Sequence, residues 1–345
     1  MRMRWWLLAI GLAFAGVARG QLPSLRSLDL YFIDVEGGAA TLIVTPRGES
    51  VLIDSGWRMP DRRDALRIHH ALTRLAGCSR LDHVVHTHWH RDHFGAIGQL
   101  AEMVPVDRFW DRGIPESLAE DPQNFPVLIG FYRQASRGRS AVLEAGDRLP
   151  LASSPGMPDL ALECVVANER PIGGGGPTAC ERHPARPVDP SDNAKSIGLK
   201  LTFGRFEYLN LGDLTWNVEH RLVCPRNRLG RIDLFQVTHH GLDSSNHPAV
   251  VEAIRPQVAV MANGPRKGGA ASVIRTLKEQ PSLRALYQLH RNVQIPAEQN
   301  APRERIANWD ERCQGEPITI SVRPDGLAYT VTVGTRGATQ TFWSR

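Results

Sequence analysis

The chain is 345 residues long, 42% hydrophobic and 22% charged, a globular composition with enough apolar residues for a sizeable core. Its formal net charge of +5 comes from scattered arginines (Arg133, Arg137, Arg139, Arg182, Arg186, Arg226, Arg228, Arg231) and from no dense basic run, so charge alone makes no case for a stable nucleic-acid partner. None of Cys78, Cys164, Cys180, Cys224 and Cys313 lies in a CxxC pair, which argues against a zinc ribbon.

At the N-terminus Arg2 and Arg4 precede the apolar run Trp5–Val17 and the small-x-small site Ala18-Arg19-Gly20. This is a signal-peptide pattern, with residues 1–20 removed and maturation near Gln21. The apolar run is short for a membrane span, with an uncleaved anchor as the alternative reading, and no later segment is apolar enough for one. The expectation is an exported protein, periplasmic or secreted, with residues 21–345 forming one domain. Export permits disulfides, but the odd cysteine count leaves at least one thiol free and the pairing is not legible.

Residues 28–54 read as short strands: LDLYFIDV, ATLIVTP and SVLIDSG, with Gly and Pro at the breaks. Asp64 to Ala76 has helical periodicity, Leu81 to His86 reads as a buried strand, and Phe94 to Met103 as a helix. A strand follows near Val106 to Trp110. Residues 111–190 are dense in Pro and Gly, including the tract Gly173-Gly174-Gly175-Gly176, and read as a loop-rich insertion. Within it Phe125–Ser136 is expected to be helical and Ala161–Ala167 a strand. SIGLKLTF and RFEYLNLGD form a hairpin through Gly204-Arg205. Ile232–Thr238 and Val258–Ala262 are further strands, Ser272–Glu279 is a helix, and ITISVRPDGLAYTVTV closes as a hairpin over Pro324-Asp325-Gly326.

The segment Thr87-His88-Trp89-His90-Arg91-Asp92-His93 falls on a predicted strand-to-helix turn. Its H-x-H-x-D-H pattern concentrates imidazole and carboxylate, the ligands of borderline divalent metals such as zinc. His88 and His90 face the same way in extended chain, and Asp92 and His93 follow on the far side of a tight turn. The loop can therefore offer one pair to one metal and the other pair to a second. Asp213 ends a later strand, where a carboxylate can bridge two cations. In VTHHGLDSS, His239 and His240 follow another strand. Neighbours on extended chain point oppositely, so one is expected to ligate and the other to orient or touch substrate, with His240 favoured as the ligand. His86 is either a hydrogen-bond partner behind the ligands or a packed strand histidine. Trp57 and Trp89 adjoin these segments and line the pocket or the core.

The order THWHRDHFG, LNLGD, VTHHG resembles the metallo-β-lactamase fold superfamily. Within it the chain looks most like the extracellular hydrolase domain of DNA-uptake competence channel proteins and their free-standing relatives. FIDVEGGAATLIVTPRGESVLIDSG, DNAKSIGLKL, LNLGDL and VTHHGLDSS carry that likeness over roughly residues 28 to 264. The resemblance implies an α/β fold, an αβ/βα four-layer sandwich with the metals at one edge. It implies ligation by His88, His90, Asp92, His93, bridging Asp213 and a histidine at 239 or 240. Two zinc ions are implied, with manganese or iron as alternatives, sharing a bridging hydroxide that attacks the substrate while Asp92 orients the nucleophile or passes a proton.

Two departures stand out. The histidine that the superfamily commonly carries before the bridging acid is absent from Ser191–Ser196, which leaves Asp192, Asn193 or water to complete the first metal, and His183 as a looser candidate. Ala39 stands where the competence-type branch carries an acid. The expected reaction is hydrolysis of a phosphoester, small-molecule or oligonucleotide, with Lys195, Ser244, Ser245 and the loop residues Arg266 and Lys267 meeting the anion. Hydrolysis of a carboxylic ester, lactone or β-lactam is the alternative chemistry. An exported binding module with a degenerate metal site is the alternative class.

Overall fold

Short apolar runs rich in β-branched residues form 17 strands in the computed structural model, which describes residues 26–153, 155–173 and 185–345. The expected signal segment, Cys180 and His183 lie outside the described residues. The first half contributes β1 (Leu28–Phe32), β2 (Thr41–Val44), β3 (Ser50–Ile53), β4 (Leu81–Val85), β5 (Val106–Asp111), β6 (Ser140–Val142), β7 (Leu160–Ala167) and β8 (Arg170–Pro171). The second contributes β9 (Gly198–Phe203), β10 (Phe206–Asn210), β11 (Leu234–Gln236), β12 (Val258–Met261), β13 (Ala285–His290), β14 (Ile306–Asn308), β15 (Ile318–Val322), β16 (Ala328–Val333) and β17 (Thr339–Trp343). They make a nine-stranded sheet, β17-β16-β15-β1-β2-β3-β4-β5-β6, and an eight-stranded sheet, β14-β13-β12-β11-β10-β9-β7-β8.

Period-two alternation sorts the side chains of each strand between two cores. In β3 and β4, Val51, Ile53 and Val85 point into the layer between the sheets, where they meet Leu201, Tyr208 and Val260. Their neighbours Leu52 and Val84 point outward against the helices α1 (Arg63–His70), α2 (Arg91–Phe94), α3 (Ile97–Ala101) and α4 (Phe125–Ser136). The second sheet is covered by α5 (Trp216–Val223), α6 (Pro248–Ile254) and α7 (Ala271–Lys278) through Leu222, Val251 and Ile274. The result is four layers, helices outside and two sheets inside, as the resemblance implied.

Two expectations change. The helix expected over Phe94–Met103 is split, because the chain steps sideways at Gly95. Ala96 N–H bonds the Gly56 carbonyl at 3.2 Å, and a Cβ on Gly95 would lie 2.7 Å from the Arg58 nitrogen. The stretch 111–190 is more than an insertion of loops: β7 pairs along β9 and belongs to the second sheet. Among the described residues Cys78, Cys164 and Cys313 are free, and Cys224 is disulfide-bonded.

The parallel strands β3 to β6 and β10 to β14 run the same way within their sheets, so their C-terminal ends gather along edges where the loops can carry chemistry. One buried acid holds the second sheet's loops in place. Glu219 in α5 is fully buried, and its Oε2 accepts the His247 N–H at 2.8 Å, tying α5 to the start of α6. Burial pushes its carboxyl from 4.5 up to about 7, against hydrogen bonds that pull it down. The folded protein therefore holds this proton more tightly than the unfolded chain. The contribution to stability is complete below about pH 4.5 and is lost as pH rises through about 7. Glu219→Gln should flatten that part of the pH dependence of the denaturation midpoint. Identical slopes for both proteins between about pH 5 and 8 would remove Glu219 from this role.

Candidate metal centre

Asp92 and His93 begin α2 just beyond β4, Asp213 follows β10, and His240 follows β11. One ligand atom from each of these four residues lies within 4.8 Å of all the others, and all four are buried. His93 Nε2 sits 3.1 Å from Asp213 Oδ2, 3.4 Å from Asp92 Oδ2 and 3.2 Å from His240 Nε2. His240 Nε2 is 3.2 Å from both Asp92 Oδ2 and Asp213 Oδ2. Each sheet thus supplies half of the cluster.

The rings are held from behind. His93 Nδ1 lies 2.8 Å from Asp54 Oδ2, and His240 Nδ1 lies 3.0 Å from the Ala262 carbonyl. Both carry the proton on Nδ1 in that arrangement and turn Nε2 to the cluster. Asp54, at the end of β3 with φ 61°, also accepts the Thr87 N–H at 2.8 Å and the Thr87 hydroxyl at 2.9 Å. Sequence reasoning missed Asp54, although an acid closing the apolar run SVLID was visible. Gly268 is needed where it stands: its φ is 80°, and a Cβ there would lie 2.1 Å from the His240 carbonyl oxygen.

His239 and His240 do not diverge as extended neighbours would. Both adopt left-handed backbone, φ 53° and 54°, which is costly for residues other than glycine. His239 Nε2 consequently also faces Asp213 Oδ2, at 3.4 Å. Ser245 and Ser244 were expected to meet substrate, but their hydroxyls lie 3.0 and 3.2 Å from His239 Nδ1 and orient that ring.

His88 and His90 stand beside the four-residue cluster. Their ring centroids are 4.7 Å apart, and the His88 ring is 4.1 Å from that of His93. His88 Nδ1 is 3.1 Å from the Thr87 hydroxyl, while its buried Nε2 has no partner among the described residues. His90 Nε2 is 3.1 Å from Glu120 Oε1. Asn193 is buried with its Oδ1 also unpartnered, and Lys195 ends the same turn of 3-10 helix half-buried.

Several expected site residues do other work. Asp192 is no free ligand: it pairs with Arg112 and accepts the Trp89 N–H at 2.7 Å, so it pins the histidine loop. His86 is packed among Trp89, Phe94 and Tyr132, with Nε2 3.3 Å from the Ser55 hydroxyl, and burial lowers its pKa to about 3. It is the packed strand histidine. Trp89 belongs to the core for the same reason. Arg266 points away into an exposed ion pair with Glu311. Lys267 does reach the site, pairing with Asp92 and lying 5.0 Å from the Trp57 ring.

Burial raises the carboxyls of Asp92 and Asp213, but the imidazoles of His93 and His240, with Lys267 at Asp92, hold both well below the usual range. Two buried anions and several imidazoles make a donor set suited to a divalent cation, zinc or iron alike, and the orphaned His88 nitrogen fits the same need.

Residues 33–154 match the metallo-beta-lactamase superfamily model. The two-sheet sandwich and the cluster between its strand ends agree with that match, which takes in Asp92 and His93. It is 38% identical over 68 residues to an atrochrysone carboxyl ACP thioesterase of Cryptosporiopsis sp., and 37% identical over 68 residues to the lactamase-like protein notP of Aspergillus sp.. Each alignment covers 20% of this chain and 20% of the relative, so the chain spans a fifth of the length of the curated relatives it matches. Among solved structures it is similar to CmlA, a diiron beta-hydroxylase from Streptomyces venezuelae, with TM-score 0.40, 17% identity, and coverage of 70% of this chain and 45% of that one.

Asp54→Asn keeps the shape behind His93 but removes the charge. It should weaken metal binding by about 10- to 100-fold with the fold intact, measured by competition with a chelator. Unchanged affinity would show that Asp54 does not position the ligand.

Proposed function

We propose that the protein is a metal-dependent ester hydrolase, exported, acting first on phosphoesters. The observation that carries the hydrolase reading is the buried convergence of Asp92, His93, Asp213 and His240. In this reading Asp92, His93, Asp213 and His240 hold one cation. His88 and His90 would hold a second, with Asp213 and the buried, unpartnered Oδ1 of Asn193 as further candidate donors. Zinc is the first choice and iron the alternative. A divalent cation there supplies Lewis acidity, acidifying a water and polarising the ester oxygen.

The chain's own groups do the rest. Asp54 and the Ala262 carbonyl fix two imidazoles, so no reorganisation is needed when charge develops. Asp92 keeps an acceptor oxygen at the site for the attacking water's proton. Lys267 and Arg91 stand 5.0 and 5.8 Å from the Trp57 ring and supply positive charge at the rim, which favours an anionic ester. Export is supported by the disulfide at Cys224.

The acyl alternative, a thioester or carboxylic ester, is favoured by the short likeness to a thioesterase and a lactamase-like protein. Competition separates the two readings. A chromogenic phosphodiester should be hydrolysed, hydrolysis should stop on chelation and return with zinc, and inorganic phosphate should inhibit competitively. Asp92→Ala should lose about 100-fold or more of kcat with an unchanged circular dichroism spectrum. Faster turnover of an acyl thioester, untouched by phosphate, would replace the phosphoester reading. Near-normal activity of Asp92→Ala would sink the assignment of Asp92.

A further inference from the structure

A second group of metal-binding side chains shares no residue with the first. Asp34 follows β1, His290 ends β13, and Cys313 lies in the loop between β14 and β15. Cys313 Sγ is 3.3 Å from Asp34 Oδ2 and 3.6 Å from His290 Nε2, and those two atoms are 3.0 Å apart. Zinc bound tetrahedrally by one thiolate, one imidazole and one carboxylate sets these edges at about 3.5, 3.5 and 3.3 Å, from its usual bond lengths. The triangle already has that shape, with its O–S and N–O edges a few tenths of an ångström tight. Asp34 and His290 are fully buried, and Cys313 is partly exposed, so the group is reachable from solvent on one side.

We propose that Asp34, His290 and Cys313, with water in the fourth position on the solvent side, form a site for a thiophilic divalent cation, zinc by preference, separate from the hydrolytic centre. To take the cation as thiolate, neutral imidazole and carboxylate, the site would release two protons to solvent, the thiol proton and the Nε2 proton that His290 now directs at Asp34. Arg67 now lies 2.9 Å from Asp34 Oδ2, yet it also bonds the Asp34 carbonyl and Glu36 Oε1, each at 3.0 Å. It therefore keeps partners when that carboxylate oxygen turns to a metal. Such a cation would clamp the two sheets together where they support the first site. The chain from Asp34 leads to Gly37, where a Cβ would lie 2.8 Å from Lys267 Cβ, and the His290 carbonyl accepts from Asn263 Nδ2 at 2.8 Å at the head of the Lys267 loop.

Cobalt substitution of the full chain tests this, because the hydrolytic centre has no cysteine among its donors. The wild type and an Asp92→Ala/His93→Ala variant should both show a thiolate-to-cobalt charge-transfer band. Cys313→Ser should lose the band and one metal per chain while keeping the other metals. Zinc should also protect Cys313 of the wild type from iodoacetamide, a readout that needs no variant. Absence of the band in the folded wild type, its persistence in Cys313→Ser, or equal alkylation with and without zinc would overturn the site.

Discussion

Two buried carboxylates facing one point govern this structure. Asp92 and Asp213 are 5% and 2% exposed, and each has an oxygen within 3.4 Å of the same His93 nitrogen. Like charges so placed are unfavourable in a low-dielectric interior unless cationic groups lie between them. The surrounding residues answer that requirement: His93 and His240 insert their rings, and Lys267 brings its ammonium to Asp92. A divalent metal satisfies the same electrostatic demand with fewer groups, which is why the arrangement is best understood as a metal centre.

Because the two acids come from different sheets, their separation is set by how the sheets pack. The inner layer is therefore part of the site. Phe32 of the first sheet meets Tyr208 of the second edge-on with centroids 6.2 Å apart, and Thr41 donates across the layer to Gln236 Oε1 at 2.9 Å. Tyr208 donates to that same oxygen at 2.7 Å. These buried polar contacts give a register to an apolar interface that would otherwise tolerate sliding. The left-handed backbone at His239 and His240 is a local cost that this rigid frame holds in place, and strain of this kind collects at sites where side chains must be aimed.

The contrast between what was legible in the sequence and what was not follows from the range of the interactions. Strands such as β3, β4, β9 and β10 were visible because alternation and turn residues are local signals. The H-x-H-x-D-H loop was visible because its ligands are contiguous. The split at Gly95 was hidden, since it depends on Gly56 and Arg58 in another loop. Asp54 was hidden because its partners, Thr87 and His93, are distant in sequence. Ser244, Ser245 and Arg266 carried suitable chemistry for an anion, yet His239 and Glu311 occupy them. The strands β13 and β14 and the helices α5 and α6 carried no punctuation strong enough to announce them, and β7 was legible as a strand while its pairing along β9 in the second sheet was not.

The global charge says little about substrate, because its arginines are spread over the surface and many are engaged locally. Arg112 is buried against Asp192, and Arg63 and Arg67 are paired with Glu36, Asp64 and Asp34. What matters is where cations stay near the cluster after such pairing. Lys267 is a third exposed at the rim and has Asp92 as its partner, so a metal held by Asp92 would leave its charge available to a ligand. Arg91 lies 5.8 Å from the same Trp57 ring. Local positive charge beside an aromatic ring and next to the buried acids is thus set by the pairing around the cluster, and the net charge alone does not reveal it.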